Sequence, residues 1–252
     1  MSSFIIPPSK KEYARVYDNT FLWQEKNIYV MSNHRLALWC WLQCRDIFQG
    51  KHTLIHIDEH TDARRWEGAG EPKCLEKALS IFSNLANLET YESLQCPYRD
   101  PWNGRDTRPC ITYDNFVHLA TKANLFSHYY IYSSVGDWHT GLPETSYDFK
   151  KSVLDVYNLA ENIKNSNGKC IIDIDLDFFD KRDGFSKKLS EDQLLTRVLQ
   201  IIADHRELVS MITISLNETP GDTLWEKRQH QLSIVKNILG LEVPIPIMKE
   251  NN

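Results

Sequence analysis

Hydrophobic and polar positions along the chain switch between two periods. Short runs rich in Ile, Val and Tyr, bounded by polar residues, occur at Asn27-Ile28-Tyr29-Val30-Met31, Thr53-Leu54-Ile55-His56-Ile57 and Tyr129-Tyr130-Ile131-Tyr132-Ser133-Ser134-Val135. Two more are Lys169-Cys170-Ile171-Ile172-Asp173-Ile174-Asp175-Leu176-Asp177 and Met211-Ile212-Thr213-Ile214-Ser215-Leu216. Each predicts a strand. Between them the spacing is helical. Residues 35 to 49 predict a helix ended by Gly50, and Leu75, Ala78, Leu79, Phe82 and Leu85 share one helical face. Asp114 stands where it would cap a helix through Phe116, Val117 and Ala120, and residues 153 to 164 predict another, closed by Asn167-Gly168. Ser190 and Gln193 form a capping-box pattern ahead of Leu194, Leu195, Val198, Leu199 and Ile202, and a last helix runs from a cap at Asp222 to Gly240. Residues 91 to 109, broken by Pro97, Pro101, Gly104 and Pro109, predict an irregular surface excursion.

This alternation predicts an α/β fold of three layers, α-β-α, around a mostly parallel sheet. No repeat, low-complexity tract or Gly/Ser-rich linker divides residues 1–252, so a single domain is expected. All five strands run out into polar residues. In a parallel sheet the carboxyl ends of the strands open on one crevice, which would gather His34, Asp58, His60, Asp62, Asp137, His139, Asp175, Asp177 and Glu218 on one rim.

Composition narrows the picture by exclusion. The 29 Lys and Arg against 34 Asp and Glu give a net charge of −5, and the basic pairs Lys10-Lys11 and Lys187-Lys188 are too short to mark a nucleic-acid surface. No apolar stretch nears the roughly 18 residues that cross a bilayer, so a soluble chain is expected. The first ten residues lack the order of a secretory signal, which predicts a cytoplasmic protein. Six scattered cysteines (Cys40, Cys44, Cys74, Cys96, Cys110 and Cys170) form no CxxC pair and are expected to be reduced thiols, with Cys40 and Cys44 packed in the core.

The candidate chemistry lies in two acidic segments. Asp58-x-His60-x-Asp62 puts three potential ligands on one side of an extended chain. Asp173-x-Asp175-x-Asp177-x-x-Asp180 puts carboxylates on alternate positions of an apolar strand, where they repel one another strongly unless a cation intervenes. Histidine and carboxylate donors without cysteine favour a hard or borderline dication, Mn²⁺ above all, and the number of carboxylates suits two ions. A pair of such ions about 3.5–4 Å apart supplies a hydroxide near neutral pH.

Asp58-Glu59-His60-Thr61-Asp62 resembles the Asp-Ala-His-Thr-Asp motif of arginases and other ureohydrolases, and Asp175-Leu176-Asp177-Phe178-Phe179-Asp180 resembles their Asp-x-Asp-x-x-Asp motif. With Ser32-Asn33-His34-Arg35-x-Ala37-Leu38 upstream, the order from about residue 28 to 220 is similar to a divergent arginase-like branch. That branch includes the peptide arginases of bacterial ribosomal-peptide pathways. The resemblance implies an arginase/deacetylase-like fold holding two Mn²⁺ per chain. One ion would take His34, Asp58, Asp62 and Asp175, and the other Asp58, His60, Asp175 and Asp177. It also implies Glu218 as the carboxylate that grips a guanidinium, fitting a planar cation with paired donors. The family's proton-shuttle histidine has no direct counterpart, since no His-Gly-x-Pro segment follows Asp62; His139 is the nearest substitute, with Asp137 as a substrate contact. The implied reaction converts arginine residues of a precursor peptide to ornithine residues and urea. The rivals are an arginase-fold hydrolase of another small guanidino or amide substrate, agmatinase- or deacetylase-like, and a non-catalytic metal-binding domain.

Overall fold

The five predicted strands lie side by side in the computed structural model, which describes residues 2–8, 19–64, 71–96, 108–133, 142, 146–150, 156–166, 169–180, 189–217 and 223–244. They are β3 (Ile28–Met31), β4 (His52–Ile57), β7 (Phe126–Ser133), β9 (Cys170–Asp175) and β10 (Val209–Ser215). Three further strands join the same sheet: β1 (Ser2–Ile6), β2 (Leu22–Glu25) and β8 (Ser146–Lys150). The spatial order is β1-β2-β3-β10-β9-β4-β7-β8. The six strands from β3 to β8 in that order pair in parallel, and β2 and β1 are added antiparallel at one edge.

Alternate residues of the strands feed two separate hydrophobic layers, as a sheet covered on both faces requires. Tyr29, Met31, Leu54 and Ile171 pack toward α1 (Leu36–Trp41), α2 (Glu71–Ser80) and α4 (Phe116–Lys122). Ile28, Val30, Ile55 and Ile172 pack toward α5 (Val156–Asn165), α6 (Glu191–Asp204) and α7 (Trp225–Leu239). The three-layer α-β-α reading therefore stands. Ser190 caps α6 through Gln193 in the reciprocal box read from the sequence, and Gly240 ends α7 at φ 66°.

Several local expectations are corrected. The helix expected over 35 to 49 stops at Trp41, where Gln43 and Cys44 N–H bond back three residues to Cys40 and Trp41, and Asp46 at a left-handed φ of 65° separates it from the 3-10 turn Ile47–Gln49. Asp114 does not cap α4; its carboxylate accepts from Thr112 Oγ1 and Arg64 instead. Within 91 to 109, Tyr91 belongs to α3 (Leu88–Ser93) and is fully buried, with its hydroxyl donating to the Arg35 carbonyl. The same stretch contains a small antiparallel pair, β5 (Gln95–Cys96) with β6 (Arg108–Pro109). The expectation of six reduced thiols also fails, since Cys74 and Cys96 are joined by a disulfide. Among the described residues no helix is long and apolar enough to cross a membrane.

Candidate metal centre

The carboxyl ends of β3, β9 and β4 carry the acidic segments to one place. Past β3 the chain turns, and Ala37 N–H donates to the His34 carbonyl at 2.9 Å, starting α1. This aims the His34 ring back over the ends of the neighbouring strands. Three carboxylate oxygens surround its Nδ1: Asp58 Oδ2 at 2.9 Å, Asp62 Oδ2 at 3.0 Å and Asp175 Oδ2 at 3.2 Å. All four side chains are buried.

Closeness is not hydrogen bonding here. His34 Nδ1, Asp58 Oδ2 and Asp62 Oδ2 are buried atoms that make no hydrogen bond. Leaving such atoms unsatisfied costs about 1–3 kcal/mol each. Donor atoms crowded in this way form a candidate ligand group, and their mixed nitrogen and oxygen set fits a hard dication.

A second group adjoins the first through Asp58. His60, 49% exposed at the rim, has Nδ1 3.6 Å from Asp58 Oδ1 and 3.9 Å from Asp177 Oδ2. Asp58 thus offers one oxygen to each group. Asp175 faces His34 through Oδ2, while its Oδ1 accepts the Asp177 N–H at 3.1 Å.

The backbone reaches this arrangement by turning, which corrects two geometric expectations. β4 ends at Ile57, and Asp58 Oδ1 accepts the His60 N–H at 2.7 Å, so residues 58 to 62 form a turn rather than one face of a strand. Asp62 sits at φ 48°, a left-handed conformation that Asp tolerates better than most residues, and its carbonyl accepts the Val117 N–H of α4 at 3.0 Å. Likewise β9 ends at Asp175, and Asp177 projects from the 3-10 turn Leu176–Phe179.

The alternation of aspartates hides three different jobs. Asp173 does not reach the cluster. It lies in a cross-strand row with His56 and Thr213, wholly buried beneath the centre. Its Oδ2 meets His34 Nε2 at 2.8 Å and His56 Nδ1 at 2.7 Å, and its Oδ1 accepts the Thr213 hydroxyl at 2.5 Å. Thr213 in turn accepts the Trp41 indole N–H at 3.2 Å. Such a carboxylate behind a histidine holds the proton on Nε2 and turns the Nδ1 lone pair toward the cluster. The His56 ring stacks on that of His34 at 5.6 Å, and Phe116 meets His34 edge-on at 4.9 Å, so the ring is held from both sides. Asp180, the last carboxylate of the motif, points away. It grips Arg228 of α7 with two bonds of 2.8 Å and also meets Lys227 at 2.8 Å.

Electrostatics register the crowding. Burial, then the Asp58 charge, holds the Asp62 and Asp175 carboxyls above the usual carboxylate range; burial, then the Asp175 and Asp58 charges, does so for Asp177. Burial would lower the His34 pKa, yet the charge and hydrogen bond of Asp173, with Asp175 and Asp58 beside it, carry it well above the ordinary value. The Asp58 carboxylate beside its ring raises His60 to about 9, against the opposing effect of burial. Burial would raise Asp58 too, but His34 and His60 hold it well below its usual range. Asp173 is also buried, and its two histidines bring it to about 2. Without a cation, protons must balance the cluster; a dication replaces them.

The six ligands expected from the sequence, His34, Asp58, His60, Asp62, Asp175 and Asp177, lie together. Asp137, His139 and Glu218 lie outside the described residues; Asn217, next to Glu218 in sequence, donates from Nδ2 to Asp177 Oδ2 at 3.3 Å. His56 and Thr213 were not singled out. Their signal was the polar residue in each otherwise apolar strand, but only the register shows that both face Asp173.

No family model and no curated protein matches the chain. Among solved structures, the chain is similar to a crystal structure of a hypothetical agmatinase from Burkholderia thailandensis, with 12% identity, a TM-score of 0.46 and 84% of the chain covered. The matched part spans 56% of that protein.

Proposed function

We propose that the chain is a manganese-dependent hydrolase that converts arginine residues of a precursor peptide to ornithine residues and urea. The observation that carries this reading is the crowding of His34 Nδ1 by three carboxylate oxygens, two of them buried without hydrogen bonds. The motif order resembling arginases turns that cation site into a guanidinium hydrolase, and the divergent branch supplies the peptide.

In this reading His34, Asp58, Asp62 and Asp175 would hold one Mn²⁺, and Asp58, His60, Asp175 and Asp177 would hold the second. When bound, two such ions supply an acidified water as nucleophile near neutral pH. The protein's own residues do the rest. Asp173 fixes the His34 ring, and Asn217 restrains the Asp177 carboxylate at the rim. Glu218, one residue on in sequence, is the carboxylate proposed to grip the guanidinium through paired hydrogen bonds. Asp137 contacts substrate, and His139 passes a proton to the departing amine. The balance is one guanidinium and one water in, one ammonium and one urea out, with the Nε–Cζ bond broken.

The test is to incubate the protein and Mn²⁺ with an arginine-containing precursor peptide and, separately, with free arginine. The expected result is a loss of about 42 Da per modified arginine on the peptide, with urea in equal amount. Conversion of free arginine alone would overturn the peptide assignment. Metal uptake with no turnover of any guanidino compound would leave only a metal-binding domain.

A further inference from the structure

Away from the carboxylate centre, three sulfurs from three chain segments meet under the helical layer. Cys74 comes from the middle of α2, Cys96 from β5, and Cys110 from just beyond β6, where its N–H donates to the Leu94 carbonyl at 3.0 Å. Each is only 2% exposed, and the three Sγ atoms lie within 4.8 Å of one another, with Cys110 Sγ 3.0 Å from Cys96 Sγ. A disulfide engages two of these sulfurs, Cys74 and Cys96. A soft cation engages all three. Tetrahedral zinc with bonds of about 2.3 Å holds its sulfurs about 3.8 Å apart, well within the reach of this cluster.

We propose that the reduced protein binds one zinc ion through Cys74, Cys96 and Cys110, with water completing the tetrahedron, at a site separate from the carboxylate centre. Reaching it from the disulfide takes a thiol or phosphine reductant, which delivers two electrons as two protons complete the Cys74 and Cys96 thiols. Zinc then displaces the thiol protons as it binds. Thiolate softness selects zinc here, whereas the carboxylate and imidazole set favours manganese, so the two sites sort their metals by chemistry. The zinc would staple α2 to both ends of the segment between Cys96 and Cys110. It would also brace the metal loop from behind: Asn115 donates to the Cys110 carbonyl at 3.1 Å, and two residues on, Val117 N–H holds the Asp62 carbonyl.

Cobalt distinguishes the sites, because only sulfur ligands give an intense thiolate-to-cobalt charge-transfer absorption in the near ultraviolet. Full-length protein kept in a phosphine reductant and loaded with Co²⁺ should show this band, and Zn²⁺ should bleach it at one equivalent. The band should persist in Asp175→Ala, which removes a ligand of the other centre, and in Cys44→Ser. It should be lost in Cys74→Ser, Cys96→Ser and Cys110→Ser. Should those variants misfold, thiol alkylation of the wild-type chain gives the answer by mass: zinc should protect Cys74, Cys96 and Cys110. No band in reduced wild-type protein, a band that survives Cys110→Ser, or equal alkylation with and without zinc would each overturn the proposal.

Discussion

Asp175→Ala is expected to empty the carboxylate centre and lower hydrolysis at least about a thousandfold, while leaving the metal-free fold nearly as stable as before. The separation of these effects follows from the charges. Asp175 is buried beside Asp58, and that burial and repulsion hold its carboxyl above the usual range. Removing it relieves repulsion and forfeits a cap on the Asp177 N–H worth about 1 kcal/mol, so the two changes offset. With metal present the comparison reverses. A dication at a hundred times its dissociation constant stabilises the wild-type protein by about 2.7 kcal/mol per site, or about 5–10 °C in Tm for a chain this long. The variant should lose that rise. Calorimetry with and without Mn²⁺ reads it directly, and an unchanged Mn²⁺-induced shift in Asp175→Ala would remove this residue from the centre.

The same protons set a pH dependence. His34, His60, Asp62, Asp175 and Asp177 all hold protons more tightly than their ordinary values. Metal must displace those protons, so apparent Mn²⁺ affinity should still be rising with pH near 9, where His60 is only half deprotonated.

The second large effect lies behind the centre, at Asp180 and Arg228. Arg228 is 1% exposed, and its guanidinium forks onto Asp180 while also meeting Gln231 Oε1 at 2.8 Å. The pair ties the turn that carries Asp177 to α7. Asp180→Ala leaves a buried cation without its carboxylate, and such losses cost about 3–5 kcal/mol. Arg228→Met should cost less, because Lys227 still reaches Asp180 at 2.8 Å. Asp180→Leu with Arg228→Met should recover much of the loss, as replacing both charges removes the burial penalty. Urea unfolding of the three variants tests that order; an Asp180→Ala cost under about 1 kcal/mol would show the pair to be a surface-like contact.

How legible this protein is in its sequence depends on which residues must meet. The central strands stand out because Ile, Val and Tyr repeat where both faces are covered. The edge strands do not. β2 turns into β3 through Lys26 at φ 54°, a left-handed position that the sequence marks with neither Gly nor Asn. The six ligand candidates are readable because each lies at or just past the carboxyl end of a strand and carries a side chain suited to metal. Their support is not. Asp173 looks like its neighbours Asp175 and Asp177 until the register sets it against His56 and Thr213, and Asp180 looks like a ligand until α7 brings Arg228 to it from 48 residues away. The cysteine cluster is similarly hidden. Separations of 22 and 14 residues carry no recognised spacing, and only the pairing of β5 with β6 under α2 closes them.

Anomalous diffraction from crystals grown with Mn²⁺ tests the central claim most directly. Two manganese peaks about 3.5–4 Å apart are expected, one among His34, Asp58, Asp62 and Asp175 and the other beside His60 and Asp177. A single peak, no peak, or peaks away from these side chains would contradict a paired-metal hydrolase.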